Sequence, residues 1–157
     1  SKIFPKANIE QVLDVRLQRL IGEINEKRRN TFQNEILFIG EYTDIYLEGG
    51  ILYEQRIFEY FLNYLKENSV DKNLVLRPHP NETALKYSVF DSFPYSISNK
   101  SLIDDLSKAA LVVGHDSYSI YVAYLTGIQC LRLKMNEFDV EYSLPIELDN
   151  LILGPHS

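Results

Sequence analysis

Short apolar runs of strand length alternate with segments of helical period along this chain, and that alternation constrains the fold more than any other feature. Glu35-Ile36-Leu37-Phe38-Ile39-Gly40 is one such run. Asn73-Leu74-Val75-Leu76-Arg77, Ala110-Leu111-Val112-Val113-Gly114 and Ile128 to Leu133 are others, and Tyr95-Ser96-Ile97-Ser98 is a shorter candidate. A continuous apolar run, unlike an alternating one, suits a strand covered on both faces. Between Asn8 and Arg29, residues Ile9, Val12, Leu13, Leu17, Leu20, Ile21 and Ile24 recur at helical spacing. Asn8 with Gln11 reads as an N-cap and its reciprocal partner, and Pro5 blocks an earlier start.

A second helix is expected over 51–68, with Phe58, Phe61, Leu62 and Leu65 on one face. Short helices are expected over 82–87, over Leu102–Lys108 with Ser101 as cap, and over Ser117–Thr126 closed by Gly127. Residues 41–50 read as a loop through Gly49-Gly50. The tail beyond Lys134 reads as loop, with a short strand at 151–153. Strands alternating with helices predict an α/β fold: a Rossmann-like parallel sheet with helices on both faces and right-handed crossovers. Residues 1–30 are expected to form an amphipathic helix or linker, and 31–157 the domain proper.

Composition narrows the function classes. A chain of 157 residues with 45% hydrophobic residues can bury a core without staples. A net charge of −6 argues against nucleic acid as partner, because phosphate tracks need a basic face. The cluster Lys27-Arg28-Arg29 is too short for such a track and reads as a solvated helix end that suits the macrodipole. The single cysteine, Cys130, lies in an apolar run and reads as a core thiol in a reducing compartment, so a cytoplasmic location is expected. No stretch has the apolar length to cross a bilayer, so membrane contact is expected to be peripheral at most. A start at Ser-Lys without Met suggests an excised domain.

In parallel sheets, ligands bind beyond the carboxyl ends of the strands, near a switch in strand order. Three polar segments follow strands here: Gly40-Glu41-Tyr42, Arg77-Pro78-His79-Pro80-Asn81-Glu82 and Gly114-His115-Asp116-Ser117-Tyr118-Ser119. Prolines on both sides of His79 restrict its backbone and lower the entropy lost on fixing the imidazole. An imidazole donor suits a phosphate oxygen that gains charge as a leaving group departs. Arg77 is expected to add a bidentate contact. Gly114 lets a helix begin within a few residues, and N–H groups at that helix start bind anions, assisted by the Ser117 and Ser119 hydroxyls. Asp116, repulsive to a phosphate, is assigned to capping. A rigid turn and a plain helix cap are the bland alternatives for the two loops.

Other chemistries lack their motifs. There is no Gly-x-Gly-x-x-Gly loop, no Gly-Lys-Ser/Thr loop and no Gly-x-Ser-x-Gly elbow. His79, His115 and His156 lack ligand spacing, so no metal and no other cofactor is expected. Tyr118, Tyr121 and Tyr124 stand at i, i+3 spacing, for which core or interface packing is the default.

The order strand-Ile-Gly, helix, strand-x-Pro-His-Pro, strand-Gly-x-x-Ser and helix ending in Leu-x-Gly-Ile resembles the C-terminal, donor-binding domain of bacterial His-Pro-motif sialyltransferases. The likeness is to the lipooligosaccharide enzymes of glycosyltransferase family 52, over roughly residues 31–135. It implies one half of a GT-B fold that takes a CMP-sialic acid-like donor in surface polysaccharide or lipooligosaccharide synthesis. By that resemblance His79 and Pro80 match the His-Pro motif, with His79 on the CMP phosphate. Ser117 and Ser119 match the serine motif, and Gly40 and Glu41 lie beside the nucleotide.

The family's base belongs to an acidic-acidic-Gly motif of the acceptor domain. Leu47-Glu48-Gly49 lacks the first acid and lies in the wrong place, so the base is not carried over. Many GT-B enzymes hold the ribose with a Glu ahead of the Gly-Ile turn. That position is Val122 here, which argues against a retaining UDP-sugar transferase. The resemblance implies a nucleotide sugar and an absent N-terminal acceptor domain as partners, and no activity from this chain alone. Alternatives are a polyol-phosphate or other GT-B capsule or teichoic-type transferase, which shares Arg-Pro-His-Pro, and a non-catalytic α/β interaction module. In the latter the first helix and the tyrosine stripe form a homodimer interface.

Overall fold

The computed structural model describes residues 6–41, 53–88, 90, 92–115, 117–135 and 140–142. The loop through Gly49-Gly50, Leu47-Glu48-Gly49, Asp116 and the strand expected at 151–153 lie outside them. Helix α1 spans Lys6–Arg29, strand β1 Glu35–Ile39, α2 Tyr53–Glu67 and β2 Asn73–Arg77. A 3-10 turn, Ala84–Tyr87, leads to β3, Tyr95–Ile97. Helix α3 (Leu102–Lys108) runs directly into β4 (Ala109–Gly114), followed by α4 (Tyr118–Leu125), β5 (Gln129–Met135) and β6 (Val140–Tyr142).

The strands form one sheet in the order β3-β2-β1-β4-β5-β6. The first five run parallel; β6 pairs antiparallel with β5, Leu133 opposite Tyr142. This is an α/β Rossmann-like sheet. From β1 the chain builds outward through β2 and β3, then returns to lay β4 on the other side of β1. The order therefore reverses between β1 and β4, where such sheets open a crevice at their carboxyl edge.

The pleat divides the core in two. On one face Ile36, Phe38, Leu74, Leu76, Leu111, Val113, Leu131 and Leu133 meet Phe58, Phe61, Leu62 and Leu65 of α2. On the other, Leu37, Ile39, Val75, Val112 and Cys130 meet Ile24 of α1, Leu106 of α3 and Ile120, Val122 and Ala123 of α4. Burial on both faces is why these strands read as unbroken apolar runs. Cys130 is buried, and burial pushes its thiol up to about 12, so it stays protonated and serves as packing.

Some local expectations shift. The first helix begins at Lys6, so Asn8 lies inside it rather than at its cap. Ser101 caps α3 as expected, its hydroxyl accepting from Asp104 N–H. The basic end of α1 is more than a solvated end. Arg28 Nη1 donates to the carbonyls of Leu106 (2.6 Å) and Ala109 (2.7 Å), and Lys27 pairs with Asp104. Arg28 thus adds a side-chain donor at the α3–β4 junction, where the Ala109 N–H caps the helix on the Leu106 carbonyl and Gln33 Nε2 serves the Ser107 carbonyl. Strand β6 falls where loop was expected. A three-residue edge strand is defined by the neighbour it pairs with and carries little pattern of its own.

Candidate functional site

The three segments after β1, β2 and β4 border one cleft at the carboxyl edge of the sheet. Ile39, Gly40, Glu41, Arg77, Pro78, His79, Pro80, Ser117, Tyr118 and Ser119 line it, and it encloses about 320 Å³. That is at the small end of the range for small-molecule sites, roughly 300–1,000 Å³. Gly40, Glu41, Arg77, His79, Pro80, Ser117 and Ser119, expected to bind the ligand, are all on the lining; Gly114, expected with them, is not. A Cβ at Gly114 would stand 2.6 Å from Ile120 Cδ1 and 2.9 Å from the Ile39 carbonyl. Gly114 is there so that α4 can pack close against the centre of the sheet.

The loop after β2 is braced by its own backbone. Gly40 N–H donates to the Arg77 carbonyl (2.8 Å), extending the β1–β2 ladder one step. His79 N–H donates to Glu82 Oε1 (2.8 Å), and Glu82 N–H donates back to the His79 carbonyl (3.0 Å). Asn81 N–H donates to His79 Nδ1 at 3.0 Å. An imidazole nitrogen that accepts carries no proton, so in the neutral ring the proton sits on Nε2. Backbone and ring are both fixed, and the ring's donor is Nε2–H.

The opposite wall is the start of α4. Ser117 is its N-cap, with Oγ accepting from Ile120 N–H at 3.2 Å. The cap expected at Asp116 therefore belongs to Ser117, because the backbone of Ser117 is the extended residue that precedes the helix. Its hydroxyl proton remains available as a donor. The N–H groups of Tyr118 and Ser119, at the first helical positions, have no acceptor within the helix, and the helix start carries partial positive charge.

Arg77 borders the cleft but is anchored from behind. Its Nη1 donates to the Lys100 carbonyl (2.6 Å) and to Asp105 Oδ2 (2.9 Å). Asp105 in turn accepts from Ser98 Oγ at 2.8 and 2.6 Å. Nη1 of Arg77, from which a bidentate ligand contact was expected, is committed to an ion pair that ties the end of β2 to α3. Glu41 lies toward the β4 side, its Oε2 3.3 Å from His115 Nδ1.

Beneath the cleft lies a group of residues that sequence reasoning passed over. Lys86 Nζ donates to Glu54 Oε2 (2.7 Å) and the Glu41 carbonyl (3.2 Å), and pairs with Glu82. Tyr87 Oη donates to Glu82 Oε1 at 3.1 Å. Two carboxylates share one ammonium, and Glu54 Oε1 has no hydrogen-bond partner among the described residues. Burial pushes the Glu54 carboxyl up to about 7, against the opposing hydrogen bond from Lys86. For Lys86 burial acts downward, but its hydrogen bonds to Glu54 and Glu82 outweigh it and the net shift is upward. Burial, then Glu82 and Glu54, push the Tyr87 phenol upward. The i, i+4 spacing of Glu82 and Lys86 was the one sequence signal for this network. Nothing local marked Glu54, since only the packing of α2 against the turn makes it buried.

The raised Glu54 carboxyl makes stability depend on pH. Between its ordinary value of 4.5 and about 7, the folded state binds more protons at this site than the unfolded chain. Its contribution is therefore fully present below that window and lost as pH rises through it. Urea midpoints measured at pH 5, 6 and 7 should fall more steeply for the wild type than for Glu54→Gln. Parallel lines for the two proteins would contradict this assignment.

Among the described residues no group of three His, Cys, Asp or Glu side chains could hold a metal ion, and no helix is long and apolar enough to cross a membrane. Comparison with known proteins finds no matching family model, no matching curated protein and no matching solved structure.

Proposed function

We propose that this chain is the donor-binding half of a GT-B glycosyltransferase, with the cleft holding the phosphate of a CMP-linked sugar such as a CMP-sialic acid. The observation that carries the reading is convergence. The Nε2–H of a braced His79, the hydroxyls of Ser117 and Ser119 and the start of α4 border one cleft at the strand-order switch. Hydrogen-bond donors dominate this set, and neutral donors with a helix start suit the singly charged phosphodiester of a CMP-linked sugar better than a diphosphate.

In the reaction this implies, an acceptor hydroxyl attacks the anomeric carbon while the bond from that carbon to the phosphate oxygen breaks. CMP departs with the bonding pair. His79 and the α4 N–H groups stabilise the charge that develops on the phosphate, in place of a metal ion. The proton of the acceptor goes to a base assigned to a separate acceptor domain, so this chain alone is expected to bind donor nucleotide without turnover.

Calorimetry with CMP tests the reading. The wild type should bind at millimolar concentration or better, and His79→Ala should lose about 1.4 kcal/mol or more, a factor of ten. No heat at millimolar CMP, or equal affinity in the variant, would sink it. Tighter binding of CDP than of CMP would move the assignment to a polyol-phosphate type of transferase. The interaction-module reading draws on one observation, the exposure of Tyr118 (62%), Tyr121 (52%) and Tyr124 (61%) along α4. A stable dimer in sedimentation that ignores both nucleotides would favour it.

A further inference from the structure

Pro78 and Pro80 have no N–H, so the His79 N–H is the only backbone donor of the Pro78-His79-Pro80 tripeptide. Glu82 takes that donor at 2.8 Å. We propose that Glu82 is the positioning residue of the cleft, holding the His79 backbone so that its ring engages Asn81 through Nδ1 and presents Nε2–H as its donor. That the ligand on this donor is a phosphate rests on the reading above; the positioning role does not.

Four features support the role. The Glu82 side chain is only 3% exposed, and its Oε1 accepts from both His79 N–H and Tyr87 Oη. The end of β1 makes room for it: a Cβ at Gly40 would collide with Glu82 Oε1 and stand 2.6 Å from Tyr87 Oη. The same residue closes the loop through its own N–H to the His79 carbonyl, so side chain and backbone grip His79 from both ends. Finally, the arrangement is costly. Lys86 must serve Glu54 as well as Glu82, and Glu54 Oε1 is left without a partner among the described residues. Buried ion pairs commonly stabilise less than apolar side chains of similar volume. A carboxylate here makes physical sense as a device for geometry rather than for stability.

A double-mutant cycle with CMP as probe tests the proposal, with folding followed by urea denaturation. Glu82→Ala should weaken CMP about tenfold, and Glu82→Gln, whose amide oxygen keeps both acceptor contacts, should stay within about threefold of wild type. In the His79→Ala background, Glu82→Ala should add less than about twofold, because its effect runs through His79. Additive losses, or a Gln variant as weak as the Ala variant, would overturn the positioning role.

Nitrogen NMR of the His79 ring provides a readout that needs neither nucleotide nor the Ala variant. The wild type and Glu82→Gln should show the Nε2–H tautomer with Nδ1 as acceptor. Glu82→Asp, one methylene too short, should show a mixture. An unchanged ring signature in Glu82→Asp would overturn the proposal. If CMP fails to bind the wild type while the Asp variant shifts the tautomer, the nucleotide reading falls and the positioning role stands.

Discussion

Phe58→Ala should destabilise the fold by about 3–5 kcal/mol, the usual cost of emptying a large aromatic site in a packed core. Phe58 is fully buried in α2 and joins three parts of the protein through edge-on ring contacts. Its centroid lies 4.9 Å from Phe38 on β1, 5.0 Å from Tyr87 on the 3-10 turn and 5.1 Å from Tyr95 on β3. The gap left by truncation has rigid walls on the sheet side, so little of it can collapse. The urea midpoint should fall with an unchanged slope, and the thermal midpoint should drop by roughly 10 °C or more. The effect should also reach the cleft. Tyr87, which rests on Phe58, donates to Glu82, and Glu82 holds His79. A loss below about 1 kcal/mol would mean that the aromatic cluster is not the packed unit described.

Asp105→Ala should cost about 3 kcal/mol, the low end for breaking a buried ion pair by removing one partner. Asp105 is 7% exposed, accepts from Arg77 Nη1 and Ser98 Oγ, and lies in a helix of only seven residues. Without it the Arg77 guanidinium keeps the Lys100 carbonyl and partial contact with water, which moderates the loss. Arg77→Met should cost less than Asp105→Ala, since it leaves Asp105 with its Ser98 hydrogen bonds. A larger loss for Arg77→Met would place the energetic weight on the arginine instead. Because Arg77 precedes Pro78, either change should also reduce CMP affinity if the nucleotide reading holds.

Much of this architecture was legible because it is encoded locally. The runs Ile36–Ile39, Leu74–Leu76 and Leu111–Val113 are long enough and apolar enough to be strands covered twice. Ser101 is a cap residue at a place where the pattern changes, whereas the cap of α4 was expected at Asp116 and falls on Ser117. The lining of the cleft was legible by a rule of topology, since residues that follow parallel strands gather at one edge. Less legible were Arg28 on the Leu106 and Ala109 carbonyls, Arg77 on Asp105, and the group of Glu54, Glu82, Lys86 and Tyr87. Most of these contacts join elements distant in sequence, through polar side chains whose own stretch of chain does not say what they meet. The interactions exist because a packed sheet leaves unsatisfied polar groups at its edges, and which side chain reaches them depends on three-dimensional neighbours.

By itself, then, the sequence determined the α/β class, the position of nearly every element and the three segments that border the cleft. Those follow from periodicity, caps and proline placement, which act within a few residues. Only the tertiary structure decided the strand order, with its reversal between β1 and β4, the antiparallel pairing of β6 and the packing role of Gly114. It alone decided that His79 presents Nε2–H, and that a buried carboxylate holds it there. Strand order depends on which apolar faces meet, and a ring tautomer on which N–H comes within 3.0 Å of Nδ1. Neither quantity is a property of any short stretch of chain.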